Sequence, residues 1–148
     1  MNSVDEILDF AIEREQDAAD FYINLAERAS SAWMKEMLLG FSKEEMRHKG
    51  KLKSVKKGEK LLSSEQQVLD LKISDYLVDV EPQDDISLQD AMIVAMKREK
   101  AAYRLYSDLA TKVDDPEVKD LFLGLAQEEA KHKLYFEVQY DDQVMRDN

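Results

Sequence analysis

Along this chain, apolar residues recur every three or four positions in four long stretches. That spacing gathers side chains on one face of an α-helix. The first stripe is Leu8, Ala11, Glu15, Ala18, Tyr22, Leu25. The second is Met34, Leu38, Phe41, Glu45, His48, Leu52, Val55. The third is Met92, Ala95, Glu99, Ala102, Tyr106, Leu109, and the fourth Val118, Phe122, Leu125, Glu129, His132, Phe136. Each has the rhythm of a bundle seam. The apolar run is broken at one level in each, by a glutamate or by a glutamate with a histidine one turn on.

The helix ends carry their own signals. Ser3 with Glu6 forms a capping box, and the first helix runs to about Ala29. Ser30 or Ser31 caps the second, which ends near Lys57 with Gly58 as its C′ residue. Ser87 with Asp90 opens the third, which ends near Val113. Asp115 followed by Pro116 is an N-cap with proline at the first helical position of the fourth. Short links make two antiparallel hairpins, 3–58 and 87–143, joined by a crossover over 59–86. Within the crossover, "LKISDYLVDV" is expected to form a short helix or packed segment.

The hairpins are copies. Shifting the first so that Ala11 meets Ala95 lays "AIEREQDAADFYINLAERA" over "AMKREKAAYRLYSDLATKV", and "LGFSKEEMRHK" over "LGLAQEEAKHK". Glu15 then meets Glu99, Tyr22 meets Tyr106, Glu45 meets Glu129, and the two histidines of the chain, His48 and His132, meet each other. This is one duplicated hairpin, not a solenoid of many units.

Four carboxylates at one level of a core would each cost several kcal/mol uncompensated, and their repulsion adds to that. No Arg or Lys lies on the stripes to pair with them. Two divalent cations would neutralise them, and neutral imidazoles would complete the coordination. Carboxylate oxygen with imidazole nitrogen suits iron or manganese, and zinc less selectively. The i, i+3 spacing of Glu45 with His48, and of Glu129 with His132, lets one turn aim both groups at one metal. Glu44 and Glu128, one residue off the stripe, are expected to be solvated.

Composition removes other chemistries. The 148 residues suffice for one domain with a real core. Four Gly and two Pro favour long helices. A net charge of −11 argues against nucleic-acid binding. With no Cys, disulfides, thiolate zinc and iron–sulfur clusters are excluded within the chain. "MNSVDEILDF" lacks a signal pattern, and no apolar run approaches the roughly 18 residues of a membrane span. The expectation is a soluble, cytoplasmic protein.

One Glu from each of two helices, with Glu-x-x-His from each of the other two, is the ligand pattern of ferritin-like di-iron carboxylate proteins. The chain resembles their rubrerythrin branch: "AIEREQDAADFY" is similar to its first ligand helix, "EEMRH" and "EEAKH" to its second and fourth. The resemblance implies a ferritin-like all-α four-helix bundle holding two iron ions on Glu15, Glu45, His48, Glu99, Glu129 and His132, with manganese or zinc as alternatives. It makes Tyr22 and Tyr106 hydrogen-bond donors to the ligand carboxylates. It implies an oxidoreductase reducing hydrogen peroxide or dioxygen, and a homodimer. The chain departs from the branch in two ways. It has no four-cysteine rubredoxin domain, so electrons would come from a separate carrier such as a rubredoxin. Lys49, Lys51, Lys53, Lys56, Lys57 and Lys60 offer that carrier a basic patch. It also has Ala102 where rubrerythrins carry an extra Glu, with Ala18 as its repeat mate. That symmetry keeps open a ferroxidase of bacterioferritin type, and a structural metal bundle is a third reading.

Overall fold

The computed structural model describes residues 3–78 and 86–147, with side chains as far as 142. Four long helices dominate: α1 (Val4–Glu27), α2 (Ala32–Lys57), α4 (Leu88–Lys112) and α5 (Pro116–Asp147), with a single turn, α3 (Glu65–Val68), in the crossover. No strand occurs among the described residues. The chain is an all-α bundle of the ferritin-like kind.

The ends follow local chemistry. Ser3, Ser31 and Ser87 hydroxyls accept from the amides of Glu6, Met34 and Asp90 at 3.0–3.1 Å. Asp115 Oδ1 accepts from Glu117 and Val118 ahead of Pro116. Each satisfies an amide the helix itself leaves unbonded. One end differs from expectation. Gly58 is the cap with φ −81°, and the left-handed residue is Glu59, at φ 52°. Lys60 N bonds Val55 O and Glu59 N bonds Lys56 O, which closes a Schellman turn one residue later than the glycine suggests. The fourth helix also runs on past 143, to Asp147.

α1 packs on α2 and α4 on α5 as antiparallel hairpins, and the two hairpins face each other. The polar level divides the core in two. On one side lie the start of α1, the end of α2, the end of α4 and the start of α5, with Ile7, Leu52, Leu109 and Phe122 fully buried. On the other lie Leu25, Leu38, Met92 and Phe136. The crossover joins the first cluster through Leu61, Val68, Leu71 and Tyr76. Its expected packed segment is a 3₁₀ turn, Ile73–Tyr76; the part from 79 to 85 lies outside the described residues.

Candidate metal centre

Between the two apolar clusters sit Glu15 on α1, Glu45 and His48 on α2, Glu99 on α4, and Glu129 and His132 on α5. None is more than 1% exposed. The bundle therefore brings together all six stripe residues that sequence reasoning selected. They form two overlapping quartets: Glu15, Glu45, His48, Glu129, and Glu45, Glu99, Glu129, His132. In each, the ligand atoms lie within 4.8 Å of one another. Glu45 and Glu129 belong to both.

The imidazoles turn Nδ1 inward. His48 Nδ1 lies 2.9 Å from Glu129 Oε1 and 3.5 Å from Glu15 Oε2. His132 Nδ1 lies 3.0 Å from Glu45 Oε1 and 3.7 Å from Glu99 Oε2. Despite these separations, one inward atom of every residue (Glu15 Oε2, Glu45 Oε1, His48 Nδ1, Glu99 Oε2, Glu129 Oε1, His132 Nδ1) lacks a directed hydrogen bond. The atoms converge on a shared interior rather than pairing off. Buried polar atoms without partners are costly, and a small cluster of them, rich in carboxylate oxygen, fits a divalent cation.

Outside the quartets a second set of contacts holds these groups, and each contact crosses from one hairpin to the other. Tyr22 on α1 donates to Glu99 on α4, and Tyr106 on α4 donates to Glu15 on α1. His48 Nε2 on α2 bonds Glu128 on α5, and His132 Nε2 on α5 bonds Glu44 on α2. The solvated role expected for Glu44 and Glu128 is thus corrected: at about a third exposed, each grips a histidine of the opposite hairpin. A carboxylate on Nε2 places the ring hydrogen there, leaving Nδ1 as the inward lone pair when the ring is neutral. The signal was present in the sequence, as an acidic residue before the stripe Glu in both repeats.

Electrostatics without metal follow from burial and crowding. Burial, then the charges of Glu99 and its neighbours, push the Glu45 and Glu129 carboxyls well above the usual range. Burial opposes the imidazolium of His132, yet Glu45 and Glu99 drive it up to about 11. His48 rises in the same way: Glu15 and Glu128 outweigh burial. Burial and the adjacent carboxylates keep both Tyr22 and Tyr106 hydroxyls protonated. Protons therefore occupy the level in the metal-free state.

A cavity of about 30 Å³ opens beside Glu15, Glu45, Glu99 and Glu129. By the usual measure it admits roughly two water-sized molecules. Ala18 and Ala102 line it, and Tyr76 of the crossover adjoins it. Arg14 and Arg98, a repeat pair that the stripe pattern passes over, also line it. Their guanidinium groups lie 5.2 and 5.0 Å from the rings of Phe10 and Phe21.

Comparison with known proteins gives two findings. A family model described as Rubrerythrin matches residues 6–140. The fold is similar to the solved structure of a hypothetical protein from Pyrococcus furiosus, 26% identical, covering 94% of this chain and 89% of that one with a TM-score of 0.72. Comparison with curated proteins returned no match.

Proposed function

The chain belongs to the rubrerythrin family, and on that premise we propose that it is a non-haem di-iron oxidoreductase reducing hydrogen peroxide or dioxygen with electrons from a separate donor. The observation that carries this reading is the sharing of Glu45 and Glu129 between two buried quartets. Shared carboxylates suit a dinuclear centre: Glu45 and Glu129 would serve both ions, with Glu15 and His48 holding one and Glu99 and His132 the other. Iron is the proposed metal; manganese or zinc would find the same donors.

A bound metal pair supplies two electrons to an O–O bond. The chain's own residues do the rest. The apolar clusters above and below the site exclude bulk water. Glu44 and Glu128 fix the histidine rings, and Tyr22 and Tyr106 fix Glu99 and Glu15. Those two hydroxyls also hold protons at carboxylate oxygens, where oxygen reduction consumes them. The small cavity admits a diatomic or peroxide-sized oxidant and little else.

A ferroxidase role in iron handling rests on a different observation. Ala18 and Ala102 leave the two halves of the centre equivalent, and both line the cavity where an extra carboxylate would stand. In the reductase reading the protein works in the cytoplasm as a homodimer, whereas the ferroxidase reading calls for a large hollow shell. The reductase reading adds a small acidic carrier docking on the end of α2. There Lys51, Lys53, Lys57 and Lys60 are exposed, while Lys49 and Lys56 bond Gln16 and Asp9 of α1.

Anaerobic loading with excess Fe(II), desalting and metal counting tests the centre, followed by parallel challenge with peroxide and dioxygen. About two irons per chain are expected for a dinuclear site. A reproducible ratio of one or less in folded protein would overturn it. Continued oxidation of added Fe(II) far beyond that ratio would favour iron handling.

A further inference from the structure

The duplication makes the two halves of the centre near copies, yet their surroundings differ. His132 stacks on Phe41, ring centroids 4.1 Å apart and 29° between planes. Phe41 meets Tyr135 edge-on at 5.0 Å, and Tyr135 meets Trp33 at 5.8 Å. Trp33, the chain's one tryptophan, is 56% exposed. A continuous line of rings thus leads from an inward imidazole to the surface. The repeat mates of Phe41, Tyr135 and Trp33 are Leu125, Lys51 and Glu117, so the matching positions build no such line to His48. Tyr135 adds an oddity: its hydroxyl is buried with no hydrogen-bond partner. With no group beside it to take the phenol proton, Tyr135 conducts through its ring with that proton in place.

We propose that Trp33, Tyr135 and Phe41 form a one-electron path running inward from the surface to His132, with Trp33 as the oxidisable station and Tyr135 and Phe41 as the ring contacts between it and the imidazole. This rests on the di-iron reading. Peroxide takes up two electrons to give two hydroxide ions. When the centre holds one Fe(II), that ion supplies the first electron and becomes Fe(III). The second comes from Trp33 by way of Tyr135, and the indole radical cation then releases its N–H proton to water. Among side chains, tyrosine and tryptophan give up one electron most readily once cysteine is absent, as it is here. The path draws the second oxidising equivalent away from the ligands.

The test uses full-length protein loaded with one Fe(II) per chain and treated with equimolar peroxide without a donor. Zinc-loaded protein, with no redox chemistry, is the control. The readouts are loss of Fe(II), the mass of the Trp33 peptide and the spectrum of any trapped radical. Met46, 43% exposed, reports bulk oxidation by its sulfoxide. Dioxygen admitted after the peroxide has reacted combines with the indole radical, so Trp33 should gain oxygen in the iron protein and not in the zinc protein. In Tyr135→Leu, which removes the ring, Trp33 oxidation should fall about ten-fold or more, as for a barrier raised by about 1.4 kcal/mol, with Met46 unchanged. In Phe41→Leu, which copies the other repeat, it should fall likewise; circular dichroism and iron content confirm that each variant is folded and loaded. Iron oxidation with Trp33 no more modified than in the zinc protein, or equal modification in wild type and Tyr135→Leu, overturns the path alone. Failure of peroxide to oxidise the iron overturns the di-iron reading and the path with it.

Discussion

Replacing Glu15 and Glu99 together by Leu removes one ligand from each quartet at nearly constant side-chain volume. Metal uptake should be lost. The stability of the metal-free protein is set by opposing terms. Two carboxylates leave a fully buried site where each uncompensated charge costs several kcal/mol, which favours the variant. Against it, Tyr106 and Tyr22 lose their acceptors, because their hydroxyls donate to these carboxylates and are themselves buried. Each orphaned hydroxyl costs about 1–3 kcal/mol. The terms oppose and are of similar size, so the double variant should unfold in urea within a few kcal/mol of metal-free wild type. Adding Tyr22→Phe and Tyr106→Phe removes both orphans and should raise stability above the double variant by about 2–6 kcal/mol, twice the single cost. The assay is urea unfolding of chelator-treated protein at pH 7, comparing midpoints at equal m-values. A quadruple variant no more stable than the double would refute the reasoning, since the hydroxyls would then not depend on these glutamates.

Other outcomes follow from the same geometry. Glu44→Ala and Glu128→Ala free the Nε2 side of His132 and His48, so metal affinity should fall about 10–100-fold. The sites are a third exposed, so unfolding midpoints should barely move; isothermal titration with Zn(II) reads the first and thermal melts the second. The metal-free protein should lose stability as pH rises, against the common trend. Glu45, Glu129 and His132 all bind protons more tightly folded than unfolded, so the native state carries more protons and the slope is negative. The carboxyls lose their contribution from about pH 4.5 upward. His132 keeps its contribution below about 6.5 and loses it on the way to about 11. Chemical denaturation across pH 5–9 should show the decline in metal-free protein and much less in loaded protein; a rising curve in metal-free protein would contradict it. Reversing Lys51, Lys53 and Lys57 to Glu, while sparing the Lys56–Asp9 contact, should slow reduction by an acidic carrier most at low salt. It should leave reduction by dithionite unchanged, and equal slowing with both reductants would reject the docking role.

The four helices, their N-caps and the six glutamates and histidines of the buried polar level were legible in the chain itself. Hydrophobic period and capping chemistry act over a few residues, and the duplication states each of them twice. A glutamate on an apolar stripe is visible because the stripe defines the face that must be buried. That Tyr22 and Tyr106 donate to ligand carboxylates followed from the family resemblance, but which carboxylate each meets, and that Glu44 and Glu128 hold the histidines, was not legible. Glu128 reaches His48, Glu44 reaches His132, and Tyr22 and Tyr106 reach Glu99 and Glu15 from the opposite hairpin. Periodicity reports which way a residue faces along its own helix, not which residue of another helix meets it. Glu44 and Glu128 lie just off the stripe, so the pattern reads them as solvated; the close approach of α2 and α5 makes them partners instead. At the end of α2 the glycine pointed to the turn but not to its register, and Glu59 takes the left-handed conformation because the amide of Lys60 must reach Val55 O. The cavity beside Tyr76 and the ring line from His132 to Trp33 exist only in three dimensions, since each joins side chains of different elements.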